Sequence, residues 1–312
     1  DTGVRLEGEA VRSLTASFFE LWNVTTKEEE DFAHYLNICH KAESEGFVQP
    51  FNDNPLSEER TAENVYLNLI AQAEKTLYIT TPYLIITDEM SRALRLAAKR
   101  GVDVRIITPG IPDKKVVFAI TRSYYSGLAR QGVRIYEYTP GFCHAKQCLC
   151  DGKIASIGSS NFDYRSLYHH FENDVLLYGC DAIGDMARDF DALFSQCSEV
   201  TQRYSTGSGA ILRIWQCILR LFAPLIVILY ADALVDGMCK GLGQQAANVR
   251  NNTITSLLDV ALLYLLLPRW GIGGYFFTFV LTHALNFYLS LRLLLDASGS
   301  ALPLGPLAKT AL

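Results

Sequence analysis

Zinc-type spacing is missing from this chain. Its eight cysteines, at 39, 143, 148, 150, 180, 197, 217 and 239, form no C-x-x-C pair and join no His/Cys cluster. That excludes a zinc-spaced metal centre. Free thiols buried in a reducing compartment are the expected state. A basic excess is missing too. The net charge is −5, and a nucleic-acid partner usually needs a basic face, so none is expected. Glycines 241 and 243 lack the third glycine and the preceding strand of a dinucleotide loop. They suit helix packing or a bend instead. No cofactor and no metal is expected. An initial methionine and a basic-then-apolar leader are also absent, so the chain is expected to begin in mid-domain, as a fragment.

The last glutamate is Glu199, and this gap marks a change of character. Residues 1–210 hold 21 Lys+Arg against 29 Asp+Glu, a net −8. Residues 211–312 hold 7 Lys+Arg against 4 Asp, a net +3. The first part reads as a soluble domain and the second as membrane-embedded or deeply buried. Trp270–Leu291 is 22 residues without Asp, Glu, Lys or Arg, long enough to span a bilayer. Thr253–Leu267 is apolar except for Thr, Ser and Asp259, but short for a span. Ile211–Ala231 is interrupted by Arg213 and Arg220, so it suits an interfacial segment or a span with snorkelling ends. Lys240, Arg250 and Arg269 lie between apolar segments and do not fix an orientation.

The first part alternates between helix and strand patterns. Val11, Leu14, Phe18, Phe19 and Trp22 mark an amphipathic helix, and Ser44–Ser57 reads as a loop. Helices are expected at Thr61–Lys75, Asp88–Arg100 (capped by Thr87 or Asp88), Lys114–Gln131 and Asp181–Ser198. Strands are expected at Leu77–Thr81, Val102–Thr108, Val133–Tyr138, Phe142–Cys150, Lys153–Ile157 and Asn173–Tyr178. Asp151-Gly152 is a hairpin signal. Residues 205–210 are a flexible boundary. The whole predicts an α/β fold, a sheet flanked by helices, followed by an α-helical membrane segment.

One run carries chemistry: His144-Ala-Lys146, Asp151, Gly158-Ser159-Ser-Asn161 and Glu172. On a strand, His144 and Lys146 project to the same face. Gly158 permits close backbone approach. Lys146, Ser159 and Asn161 are suited to the non-bridging oxygens of a phosphodiester, with His144 as nucleophile or proton donor. Glu172 is placed to accept a hydrogen bond from the second imidazole nitrogen and fix its tautomer. Asp151 is expected to shape the turn and hold its neighbours. Each residue alone has a plain structural reading; the full set is what points to catalysis.

The spacing H-x-K-x4-D-x6-G-S-x-N resembles that of the phospholipase D superfamily. Thr81-Pro82-Tyr83, Arg100-Gly-Val-Asp-Val-Arg105, Thr108-Pro-Gly110 and Ile154 through Ser166 resemble the second catalytic domain of bacterial cardiolipin synthases. Asp1–Ala10 resembles the stretch after their first motif. The resemblance covers about residues 1–225. It implies a remnant of a first phospholipase D-like domain in 1–40, a phospholipase D-type mixed sheet with one HKD motif in 41–204, and a helical membrane region in 205–312. It further implies a metal-independent reaction at a bacterial cell membrane. Two phosphatidylglycerol molecules give cardiolipin and glycerol through a phosphatidyl-histidine.

The family uses two facing motifs, and here only one is complete, since His40-Lys41 lacks the spacing. The partner histidine is expected from a homodimer or a first-motif domain, and whether His144 is the nucleophile or the general acid stays open. From about residue 226, Val235–Gln245, Leu266–Tyr275 and Leu285–Arg292 resemble the end of a stage V sporulation protein B-type flippase, with the junction near Ala223-Pro224-Leu225. Two other readings stand beside this one. One is a phosphodiesterase or nuclease on the same fold, and the other is an inactive truncated fusion.

Overall fold

A computed structural model describes residues 1–26, 31–38, 45–55, 57, 59–206, 235 and 237–299. His40, Lys41, the 207–210 boundary, the 211–231 apolar segment and the 223–225 junction lie outside these residues. The chain divides into two compact units, residues 1–220 and 221–312.

In the first unit, α1 (Val11–Thr26) and a 3-10 turn (Ala33–Leu36) precede β1 (Phe47–Asp53), α2 (Thr61–Gln72), β2 (Thr76–Thr80) and β3 (Leu84–Ile85). Then come α3 (Asp88–Lys99), β4 (Asp103–Pro109), α4 (Lys115–Ala129) and β5 (Arg134–Tyr138). The hairpin β6 (Gln147–Cys150) and β7 (Ile154–Gly158) follows, with β8 (Phe162–Asp163) and α5 (Tyr164–His169). The unit closes with β9 (Glu172–Tyr178), α6 (Asp181–Ser195), β10 (Cys197–Glu199) and α7 (Thr201–Ser205).

Eight strands form one mixed sheet in the order β1-β9-β7-β6-β2-β4-β5-β10, and β3 pairs with β8. β2, β4 and β5 run parallel, and β6, β7, β9 and β1 pair antiparallel. Alternation along the strands feeds two cores. One face buries Leu77, Ile79, Val104, Ile106 and Ile135 beneath Tyr66, Ile70, Met90, Leu94 and Tyr125 of α2, α3 and α4. The other buries Ile107, Leu149, Ile157, Val175 and Leu177 beneath Ile183, Met186 and Phe190 of α6. A sheet covered on both faces by helices is the expected α/β architecture.

Local signals explain the boundaries. Thr87 caps α3 by accepting from the Met90 N–H at 3.2 Å, and Gly101 and Gly132 end α3 and α4 with φ of 95° and 97°.

Three expectations in this unit need correction. The loop expected at 44–57 contains β1. Pro50 hid it, yet among the described residues β1 pairs only with β9, an edge position where a missing N–H is tolerated. The strand expected over Phe142–Cys150 begins only at Gln147. The helix expected to run to Ser198 stops at Ser195, and Cys197–Glu199 turns back to pair with β5. The Glu199 carboxylate accepts there from Arg134 at 2.9 Å and from the Tyr136 hydroxyl at 3.0 Å.

The second unit contains α8 (Gln245–Trp270) and α9 (Ile272–Ser298). Gly271, at φ 54°, breaks the chain between them. The short Thr253–Leu267 segment is therefore the middle of a 26-residue helix, and Trp270 ends that helix instead of opening the next. Both helices are long and apolar enough to cross a membrane.

Candidate active site

Strand register brings the site together. Thr80 at the end of β2 lies opposite Gln147 at the start of β6, and Gly158 at the end of β7 lies opposite Asp174 near the start of β9. One end of the sheet thus gathers the segments carrying His144, Lys146, Ser159, Asn161 and Glu172. No side chain fits at Gly158: a Cβ would lie 2.5 Å from the Asp174 Cα and also strike the Asn173 carbonyl.

His144 and Lys146 stand on extended chain leading into β6. The Lys146 ammonium donates to the His144 carbonyl at 2.7 Å and lies 2.9 Å from Nδ1 and 3.1 Å from Nε2 of the imidazole. Burial and the Lys146 charge hold the His144 imidazole below its ordinary range, so it is neutral at neutral pH. Burial also lowers Lys146, against the fields of Glu172, Asp163 and Asp174. The Asp1 carboxylate sits 3.1 Å from His144 Nδ1, and Gln147 donates to the Thr2 hydroxyl at 2.8 Å, so the first residues pack beside the site.

Glu172 does not partner His144. Its carboxylate accepts a hydrogen bond from the Ser159 hydroxyl and pairs with His170 Nδ1 at 3.1 Å. The reason is local: His170 lies two residues away, where α5 turns into β9. Ser159 Oγ also accepts from the Asn173 N–H at 2.9 Å. Asn161 donates to Ser166 Oγ at 3.0 Å, and its buried carbonyl oxygen has no hydrogen-bond partner among the described residues.

Asp151 occupies the opposite end of β6, about 17 Å along the strand from Lys146 at ~3.4 Å per residue. Asp151 and Gly152 have φ of 52° and 63°, the left-handed turn their sequence announces. The Asp151 carboxylate accepts from the backbone N–H groups of Glu74, Lys75 and Thr76 at 2.8, 2.8 and 2.7 Å. It ties the hairpin to the start of β2 and does not reach the histidine.

Two buried acids escaped the sequence reading. Asp174 accepts from the N–H and hydroxyl of Ser160, fixing the backbone between Ser159 and Asn161. Asp163 caps α5 through the Ser166 N–H at 2.8 Å. Burial pushes both carboxyls up to about 6. The alternation Glu172-x-Asp174, which puts both on one face, was the available signal for Asp174. Among the described residues no group of three His, Cys, Asp or Glu side chains converges as a metal site. The described cysteines are all free, and Cys143, Cys148, Cys150, Cys180 and Cys239 are buried.

Residues 66–194 match the family described as "Cardiolipin synthase, PLD-like domain". The chain is 37% identical to cardiolipin synthase 2 of Bacillus cereus over 227 residues, 72% of this chain and 44% of that protein. It is 35% identical to the cardiolipin synthase of Geobacillus kaustophilus, over 72% of this chain and 45% of that one. An uncharacterized protein of Streptococcus mutans is 45% identical over 72% of this chain and 49% of its own length. The chain spans about half the length of the curated relatives it matches. Among solved structures, Nuc from Salmonella typhimurium, a phospholipase D family member, is 21% identical with a TM-score of 0.43, over 50% of this chain and 98% of that one. Phosphatidylserine synthase from Haemophilus influenzae is 19% identical with a TM-score of 0.45, over 58% and 46%.

Proposed function

We propose that the first unit holds one half of a phosphatidyltransferase site that converts two phosphatidylglycerol molecules to cardiolipin and glycerol. The neutral His144 lying against the Lys146 ammonium, beside Ser159 and Asn161 at one sheet end, is the observation that carries this reading. In the first step an imidazole nitrogen attacks phosphorus, the bond from phosphorus to the headgroup glycerol oxygen breaks, and a second histidine protonates that oxygen. In the second step the hydroxyl of another phosphatidylglycerol attacks the phosphohistidine. The nitrogen–phosphorus bond breaks, and the second histidine takes the hydroxyl proton. Lys146 and Asn161 hold the non-bridging oxygens, where negative charge builds. Ser159 is set by Glu172, which His170 in turn holds.

His144 supplies one histidine of the two. The other comes from a second copy of this chain or from a first-motif domain. Phosphatidylglycerol and cardiolipin are membrane lipids, so the reaction takes place at a bilayer surface.

The test is cardiolipin and glycerol production from labelled phosphatidylglycerol vesicles, by the full chain alone and together with a first-motif domain. His144→Ala is expected to abolish product. Absence of cardiolipin in both arrangements would sink the proposal, and Lys146-dependent cleavage of single-stranded DNA would replace it with a nuclease reading.

A further inference from the structure

In the second unit the polarity of an ordinary helix pair is inverted. Every buried residue among the described positions of α8 and α9 is polar or glycine: Asn248, Thr255, Gly274, Thr278, Thr282 and Ser290. Large apolar side chains point outward instead. Leu257 is 67% exposed, Val260 66% and Tyr264 81%. In water this arrangement costs free energy on both counts, since apolar area stays wet and polar groups are desolvated.

The polar residues form a ladder. Thr282 Oγ1 donates to Asp259 at 2.8 Å, Thr255 Oγ1 to Asn286 at 2.9 Å, and Ser290 Oγ to Asn248 at 3.3 Å. A step of four along α8, from 255 to 259, is answered by a step of four back along α9, from 286 to 282, as an antiparallel pair requires. Near the turn the helices come closer still. A Cβ on Gly274 would lie 2.7 Å from the Leu266 carbonyl carbon. Small residues and interhelical hydrogen bonds are the means by which helices associate in lipid, where apolar side chains gain nothing by meeting.

Charge placement gives the dimension. Arg250 and Arg269 bracket α8, and Asp259 is the only charged side chain between them. Nineteen residue steps at 1.5 Å make about 28 Å, against a hydrocarbon core of about 30 Å. Arg292 of α9 lies at the same end as Arg250, beside the Asn248–Ser290 rung, and Trp270 and Tyr275 stand at the turn end. Cations at both ends, with aromatic rings at the turn end, match the two faces of a bilayer.

We infer that α8 and α9 form a transmembrane hairpin whose outer surface takes lipid acyl chains, with Asp259 near mid-depth on the inner seam and both outer ends of the hairpin on the same side of the membrane. The same-side arrangement follows from two spans joined at Gly271. It does not depend on the activity proposed for the first unit.

The test uses the full chain in phosphatidylglycerol/phosphatidylcholine vesicles, with native cysteines replaced by alanine and single cysteines added back. An impermeant maleimide is expected to label Gln245→Cys and Ser298→Cys from one side and Gly271→Cys only from the other. Oxidation of the Thr255→Cys/Asn286→Cys pair should form an intramolecular disulfide with at least threefold the yield of a Leu257→Cys/Tyr288→Cys pair. Val260→Trp fluorescence should be quenched by lipids brominated at mid-chain. Labelling of 245 and 271 from the same side, or release of the chain by alkaline carbonate, would overturn the hairpin. A spanning hairpin whose Val260→Trp is not quenched would overturn the lipid surface in favour of a protein neighbour. An equal disulfide yield from the two pairs would overturn the seam.

Discussion

The Lys146 ammonium lies against the His144 ring, within 3.1 Å of both imidazole nitrogens. A cation at that distance opposes protonation of the ring, and burial acts in the same direction. Lys146 therefore holds its neighbour unprotonated, beside the phosphate-binding role proposed for it.

Replacing Lys146 by Met separates the two roles. The His144 pKa is expected to rise, because the ammonium is removed while most of the burial stays. A histidine NMR titration of wild type and variant reads that shift. Turnover should fall by about 10²–10³-fold, the usual cost of deleting one charge-stabilising donor. A His144 titration unchanged by Lys146→Met would refute the electrostatic link.

Asp151→Ala should lower stability without touching the chemistry directly. Three backbone N–H groups lose their acceptor, and with partial solvent access the expected cost is about 1–2 kcal/mol in urea unfolding. Burial pushes the Asp151 carboxyl up, but its three N–H donors and Lys153 outweigh that, and the net shift is downward. Its contribution is thus present above the unfolded carboxyl pKa and is lost as pH falls through the folded value. The Asp151→Ala destabilisation should therefore shrink in strong acid.

Gly158→Ala is expected to cost about 3 kcal/mol or more, because the added methyl meets the Asp174 and Asn173 backbone and neither can yield without opening β7 from β9. Gly152→Ala meets no atom within 4 Å, and only its left-handed φ is strained, so it should cost less, on the order of 1 kcal/mol. Thermal unfolding of the two variants side by side checks the order.

His170 is raised by its hydrogen bond to Glu172, against an opposing effect of burial. Its pairing contribution is complete below the unfolded histidine pKa and disappears as pH climbs through the higher folded value. His170→Asn should therefore cost more stability at pH 5 than at pH 8, measured by urea unfolding at both. An equal cost at the two pH values would mean that the pair carries no charge.

Much of this fold was legible because its signals are local. Gly101 and Gly132 end helices, Thr87 begins one, and alternating Leu77, Ile79, Val104 and Ile106 fill one face. What escaped depends on partners distant in sequence. β1 looks like a loop until β9 lies beside it and the edge makes Pro50 harmless. β10 is three residues long and exists because Arg134 and Tyr136 hold Glu199. Within the site, His144, Lys146, Ser159 and Asn161 were visible as a spacing. The Glu172 partner was not, since competition between His144 and His170 for one carboxylate is decided only by where α5 ends. In α8, the break at Gly271 divides an apolar stretch that composition alone assigns differently.

Because Asp151 is tied into the start of β2 at the far end of β6, the three letters of the motif answer to different demands. A copy that lost its histidine and lysine but kept the aspartate would still close its hairpin and fold. A copy that lost the aspartate would weaken the scaffold while its reactive groups stayed whole. Inactive descendants of such a domain are therefore expected to keep the aspartate longest, as a fossil of architecture and not of chemistry.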